Sequence, residues 1–204
     1  MKIVCIGRNY VAHAMELRNE VPAEPVFFMK PETSLLLNND PFPLPDWSKE
    51  VHHEIELVIR VCRTARKVDA DAAAACFQQI GLGIDFTARD IQDQLKAKGL
   101  PWEKAKAFDH AAVLGTGWIA KTDLAHPGAI GFHLQINGIT VQRGDSSLMI
   151  FKFDHIIAHL SNYITLEPGD LIYTGTPAGV GPVRHDDHLE GFLEGQKMFD
   201  FFVV

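Results

Sequence analysis

Residues 51–62, Val-His-His-Glu-Ile-Glu-Leu-Val-Ile-Arg-Val-Cys, alternate in a way that fixes a β-strand and its two faces. Val51, His53, Ile55, Leu57 and Ile59 fall on one face, and His52, Glu54, Glu56 and Val58 on the other. Glutamates two apart on a strand point the same way, so their carboxylates lie side by side. Like charges so placed repel unless water or a cation separates them. A chain built around this segment must leave that face in solvent or supply a cation to it. The spacing alone leaves both solutions open.

The remaining patterns describe a β-rich chain. Residues 2–6 predict a strand, 10–17 a helix and 18–25 a loop. Pro41, Pro43 and Pro45 make 40–48 extended and irregular. The alanines at 72–75 favour a helix over 71–79, with a short strand at 81–86. Thr87 opens a further helix, with Asp90 near capping-box spacing and Gly99 at its end. Asn137-Gly138, between 133–136 and 139–142, is a two-residue hairpin signal. Residues 153–164 read as a helix, Pro168-Gly169 as a turn, and 171–174 and 198–204 as strands. His185 and His188, among Asp186, Asp187 and Glu190, read as a polar loop. Strands outnumber helices and no regular βαβ order emerges, so the expected class is α+β with a mixed, β-rich architecture.

A single domain over 1–204 is expected, because 204 residues at 47% hydrophobic content can bury a core without disulfides. The net charge of -7, with no basic stripe, argues against a nucleic-acid partner. Cys5, Cys62 and Cys76 are odd in number and form no Cys-x-x-Cys pair, which disfavours a disulfide scaffold or thiolate zinc site and fits a reducing cytoplasm. No window approaches the ~18 apolar residues of a membrane span. Residues 1–6 lack a basic-then-apolar signal pattern. A cytoplasmic location without membrane contact is the expectation.

Asp85 ends the strand that follows the glutamates, where a third carboxylate can complete one side of a metal site. Oxygen-only ligands suit Mg²⁺, Mn²⁺ or Ca²⁺ rather than zinc. Arg89 and Gln92 follow on one helix face and bring a cation and an amide beside that site.

Several segments in register then resemble one family. They are Gly-Arg-Asn-Tyr with His13 and Glu16 behind it, His-His-Glu-Ile-Glu-Leu (52–57) and Asp-Phe-Thr-Ala-Arg-Asp-Ile-Gln (85–92). Gly-Leu-Pro-Trp (99–102) leading to Lys106 and Thr-Gly-Thr-Pro-Ala-Gly-Val-Gly (174–181) complete the set. Together they resemble the fumarylacetoacetate hydrolase family, closest to its short members, which include acylpyruvases and oxaloacetate decarboxylases or tautomerases. The resemblance implies a β-rich roll, a homodimer, and Mg²⁺ or Mn²⁺ on Glu54, Glu56 and Asp85. Long members carry a further upstream carboxylate; this chain begins too late for it, so three carboxylates are expected.

The resemblance also implies a small keto-acid substrate whose 2-keto oxygen gathers negative charge as an adjacent carbon–carbon bond breaks. Arg89, Gln92, Lys106 and Thr176 are the implied substrate-binding residues, with Lys106 also stabilising the developing charge. His13 is the implied base and Glu16 its orienting partner, since imidazole suits proton transfer near neutrality. Segment 8–25 is expected to act as a lid carrying His13. Hydrolysis of acylpyruvates is the leading expectation, with oxaloacetate decarboxylation or tautomerisation and dienedioate isomerisation as alternatives on the same site. A non-catalytic, metal-holding binding domain is the alternative from another class, and it would have no need of Arg89, Gln92, Lys106 and Thr176.

Overall fold

The alternation over 51–62 becomes two strands, β4 (Val51–His53) and β5 (Ile55–Val61), interrupted at Glu54. They belong to different sheets in the computed structural model, which describes residues 1–204. β5 is central to an eight-stranded mixed sheet. Its order is β2 (Val26–Lys30), β1 (Ile3–Gly7), β12 (Leu171–Tyr173), β5, β6 (Phe77–Asp85), β8 (Ala112–Leu114) and β3 (Leu35–Leu36), with β9 (Ile119–Ala120) also on β6. β1 runs parallel to β12 and β3 parallel to β8, while β5 is antiparallel to both neighbours. β4 joins a three-stranded sheet between β13 (Gly181–Pro182) and β7 (Thr87–Ala88). A four-stranded antiparallel sheet orders β11 (Ile139–Asp145), β10 (Gly131–Ile136), β14 (His188–Leu193) and β15 (Gln196–Phe202).

The two larger sheets share the main core. Ile55, Leu57, Ile59, Leu82 and Ile84 meet Phe132, Leu134, Leu189, Phe199 and Phe201 in one apolar cluster. The opposite face of β5 is buried too: Val58 packs with Cys5, Ala112 and Tyr173. Glu56 and Asp85 lie on this second face, so the acidic side of the strand is covered by protein rather than by bulk water. The α+β, β-rich class is as expected. No helix is long and apolar enough to cross a membrane.

Three local expectations are corrected. The helix over 71–79 is only α2 (Ala70–Ala74), capped by Asp69, whose carboxylate accepts from Ala72 N–H at 2.9 Å. Phe77 and Ile80 instead pair with Val61 and Ile59, because a ladder on a central strand outweighs alanine's helix propensity. Thr87 is no helix cap: it pairs with His52, and α3 runs Arg89–Ala97. Asp90 accepts from Ser48 Oγ at 2.7 Å and Lys49 N at 2.9 Å rather than closing a capping box. His188, read as loop, begins β14; its Nε2 lies 2.5 Å from Asp200 Oδ1 on β15, and Lys197 of β15 donates to Glu190 and Asp200 at 2.8 and 2.7 Å. The other helices are α1 (Val11–Glu16), α4 (Glu103–Lys106) and α5 (Phe153–Tyr163).

Gly83 sits opposite Glu56 on β6. A Cβ there would press into the Val113 carbonyl and approach Tyr173 Cε1 to 2.7 Å, and Tyr173 is pinned by its own hydroxyl donating to Val113 O at 2.7 Å. Gly83→Ala is expected to destabilise the fold by about 1–3 kcal/mol through overpacking against immobile backbone. Urea unfolding measures this, and a loss below about 0.5 kcal/mol would show that the sheet relaxes around the methyl group.

Candidate active site

Glu54 occupies the break between β4 and β5, Glu56 lies on β5, and Asp85 ends β6. The Asp85 N–H donates to the Glu54 carbonyl at 2.8 Å, which ties the two segments together. Oxygen atoms of the three carboxylates lie within 4.8 Å of one another. All three residues are buried, none more than 5% exposed.

Three cations surround them. Lys106 on α4 places Nζ 2.7 Å from Glu54 Oε2, 2.8 Å from Asp85 Oδ2 and 2.5 Å from Thr87 Oγ1. Arg89, the first residue of α3, donates to Glu54 Oε1 and, at 2.6 Å, to Gln92 Oε1. Lys30, the last residue of β2, has a fully buried side chain with Nζ 2.8 Å from Asp85 Oδ1, an ion pair. Its ammonium also donates to the Lys106, Phe86 and Ala111 carbonyls. Sequence reasoning missed Lys30, whose one signal is a lysine closing an apolar run.

The carboxylates are not equivalent. Burial pushes the Glu54 carboxyl up, but Lys106 and Arg89 outweigh it and hold it well below the usual carboxylate range. Glu56 has no cation at contact distance; burial, and then the neighbouring Asp85 and Glu54 charges, raise it well above that range. Burial alone would lower Lys106, but Asp85 and Glu54 reverse the effect and raise it.

Loop 174–181 organises the far wall. Gly175 donates its N–H to Glu56 Oε2 at 2.7 Å. Its φ of +100° and a Cβ position only 2.6 Å from Asn9 Cβ leave room for glycine alone. Four residues on, Gly179 N–H donates to Glu16 Oε1 at 3.0 Å, and Glu16 Oε2 lies 3.2 Å from His13 Nδ1. Thr176 Oγ1 accepts from Gln142 Nε2 at 2.9 Å. Gln142 Oε1 also takes the Ile55 N–H at 3.0 Å and lies 2.8 Å from His53 Nδ1, so one buried amide joins the loop to the glutamate strand. Asn9 anchors the entry to α1 through the Phe151 and Thr174 carbonyls, at 3.0 and 2.8 Å. Neither Gln142 nor Asn9 stood out in sequence, because their partners are more than 130 residues away or on another sheet.

One cleft brings together His13, Glu54, Glu56, Asp85, Arg89, Gln92, Lys106 and Thr176, with Glu16 behind His13. Of segment 8–25, Arg8, His13, Leu17 and Asn19 line this cleft, and the Gly179 N–H fastens Glu16. The donor set fits a hard divalent cation. It offers only oxygen, Glu56 lacks a counter-charge, and Asp85 Oδ1 makes no hydrogen bond although buried. A buried site of this kind can bind an anionic ligand and move a proton beside it.

The fumarylacetoacetate (FAA) hydrolase C-terminal family matches residues 2–199. The chain is 42% identical over 201 residues to the mitochondrial oxaloacetate tautomerase FAHD1 of Pongo abelii, covering 98% of this chain and 90% of that protein. Its structure superposes with a TM-score of 0.93 and 32% identity on fumarylpyruvate hydrolase from Pseudomonas aeruginosa, solved with Mn²⁺ and pyruvate, covering 100% and 89% of the two chains. A 2-hydroxyhepta-2,4-diene-1,7-dioate isomerase from Mycobacterium marinum superposes with a TM-score of 0.85 and 37% identity, covering 100% and 74%. With a family match across nearly its whole length and relatives of this identity, the chain belongs to the fumarylacetoacetate hydrolase family.

Proposed function

We propose that this chain is a divalent-metal-dependent enzyme of 2-keto acids that hydrolyses a carbon–carbon bond in acylpyruvate-type substrates. The observation that carries this reading is His13, held by Glu16 and facing the cleft that contains the three buried carboxylates. Glu54, Glu56 and Asp85 are the proposed metal ligands, and their all-oxygen chemistry suits Mg²⁺ or Mn²⁺. When bound, that ion supplies Lewis-acid stabilisation for negative charge on the 2-keto oxygen.

The protein side chains do the rest. Lys106 brings positive charge to the oxygen that becomes negative, in a setting where water does not screen it. Arg89 holds Glu54 in place, and Gln92 and Thr176 offer polar atoms to the keto-acid head. His13 takes a proton from water, and the hydroxide so formed attacks the distal carbonyl. The bond between that carbon and the methylene breaks, its electron pair stays with the pyruvate fragment as an enolate, and the methylene carbon takes up a proton. Glu16 fixes the imidazole ring and stabilises its protonated form.

Oxaloacetate tautomerisation is the second reading, favoured by the 42% identity to an oxaloacetate tautomerase. It uses the same base to move a proton on and off the methylene carbon, without water attack.

Metal-stripped protein is expected to turn over neither acetylpyruvate nor oxaloacetate, and to regain turnover with Mg²⁺ or Mn²⁺; a Glu54→Ala/Glu56→Ala variant stays inactive. Turnover that survives chelation would overturn the metal requirement, and the preferred substrate chooses between the two readings. His13→Gln is expected to lower kcat by roughly 10²–10⁴-fold while metal affinity is kept. Full hydrolytic activity in that variant would remove His13 from the mechanism.

Glu56 also sets a pH dependence. Its folded carboxyl is raised above the ordinary value of 4.5, so the metal-free fold binds more protons than the unfolded chain above that pH. Stability of the metal-free protein from this group is therefore present below about 4.5 and lost as pH rises toward the raised value. A bound cation must displace that proton. Calorimetry in buffers of different ionisation enthalpy should record about one proton released per metal ion within that window. Zero release there would mean that Glu56 is already ionised.

A further inference from the structure

A second cavity, of about 560 Å³, lies where β5 ends and shares no residue with the cleft described above. Its lining contains an exposed thiol, Cys62, with three cations, Arg60, Arg63 and Lys121, and no acidic residue. Packing holds two of the cations in place. Arg60 lies over the Trp118 ring at 4.0 Å. Lys121 donates to the Ala74 carbonyl at 2.9 Å and stands 4.1 Å over the Phe77 ring. Arg63 is exposed and follows Cys62 directly. The turn that ends α2 organises the group, because Ala75, next to Ala74, accepts from Cys62 Sγ at 3.6 Å.

Cys76 lies across the ladder from Cys62. Val61 pairs with Phe77, and the Cys62 N–H donates to the Cys76 carbonyl at 2.8 Å, which carries the β5–β6 pairing one residue further. Opposed residues of an antiparallel pair share a face, with Cα atoms about 5.5 Å apart where they are hydrogen-bonded. That separation falls within the range of about 4.4–6.8 Å that a disulfide spans. The two thiols differ in access. Cys62 is exposed, whereas Cys76 is buried and its Sγ donates to the Ala72 carbonyl at 3.4 Å. Burial, and then Cys62, push the Cys76 thiol up, and Arg63 offsets only part of this. The third thiol, Cys5, is fully buried in the core.

We infer that Cys62 and Cys76 form a thiol–disulfide exchange site for an anionic low-molecular-weight disulfide, with Cys62 attacking the ligand and Cys76 resolving the product. The cationic lining selects a negative ligand and holds its carboxylates by charge-assisted hydrogen bonds. Cys62 attacks one ligand sulfur as its thiolate. The ligand's S–S bond breaks, and the departing thiolate takes up the proton that Cys62 released. Cys76 then loses its proton and attacks Cys62 Sγ. The mixed disulfide breaks, and the second ligand thiol leaves with that proton. Two protein thiols are oxidised to one disulfide while one ligand disulfide is reduced to two thiols, so electrons and protons balance. The second step is the slower one, because the buried Cys76 gives up its proton less readily. An excess of the ligand's thiol form reverses both steps.

The test treats the reduced protein with glutathione disulfide, which is anionic, or with hydroxyethyl disulfide, which is neutral. Intact mass and peptide mapping follow the reaction. A transient adduct of one glutathionyl group on Cys62 is expected, followed by a Cys62–Cys76 crosslink and the loss of two hydrogens. Cys76→Ser should keep the adduct and form no crosslink, and Cys62→Ser should form neither. Arg63→Gln should slow the reaction with glutathione disulfide several-fold and leave that with hydroxyethyl disulfide unchanged. Salt at about 1 M, where the screening length falls to about 3 Å, should have the same selective effect. Thermal unfolding of each variant controls for folding. An adduct that forms first on Cys5 or Cys76, no reaction with either disulfide, or equal slowing of both by Arg63→Gln would overturn the site. An adduct on Cys62 that persists in the wild type as long as in Cys76→Ser would overturn the resolving role.

Discussion

Three carboxylates removed from water in one place impose a condition on everything around them. The effective cost of burying an unpaired ion is several kcal/mol, so Glu54 and Asp85 are acceptable because Lys106 bridges them, with Arg89 on Glu54 and Lys30 beside Asp85. Lys106 comes from a one-turn helix, Arg89 from the start of α3 and Lys30 from the end of β2. These segments are far apart in the chain, and their packing is fixed in part by the need to deliver a charge to the same point. Removing one cation would leave a buried charge unmatched, which is why the ion cluster constrains the fold more tightly than the apolar contacts nearby, which tolerate volume-conserving exchange.

Glu56 escapes this arrangement. It receives one backbone N–H from Gly175 and no cation at contact distance, although it sits beside two other acids. The loop that reaches it also reaches Glu16 through Gly179. A single stretch of eight residues thus holds the carboxylate without a counter-charge and the carboxylate that orients His13. Movement of this loop would disturb both together, and this gives the proposed metal site and the proposed base a shared mechanical support.

Much of this was legible in the chain. The alternation over 51–62 gave the correct two faces, and the position of Asp85 after the next strand put a third acid beside the first two. Local signals of this kind survive folding because side-chain direction in a strand depends on neighbours in sequence. What was not legible depends on distant partners. Phe77 and Gln78 follow an alanine run and read as helix, yet pairing with Val61 across the sheet makes them strand. Thr87 has capping chemistry, but its hydroxyl is used by Lys106 and its backbone by His52. Lys30 lies in an apolar strand whose edge position and burial follow from the assembled sheet alone. The break at Glu54 has the same origin: the chain crosses there from one sheet to another, and no residue of turn-forming type marks it.

Relatives named for tautomerisation, hydrolysis and isomerisation all superpose or align across this chain. One fold hosting several reactions is ordinary, since chemistry resides in the site rather than in the architecture. The burial of the carboxylate cluster suggests how this is achieved here. A buried, charge-balanced interior can stabilise an enolate regardless of what is attached to it, because the charge develops at the keto-acid head. The choice among outcomes is then left to what surrounds that interior, including whether the proposed base His13 meets water or a methylene hydrogen. His13 is itself buried, but the rest of α1 apart from Ala14 faces outward, so that helix can vary without disturbing the buried ions.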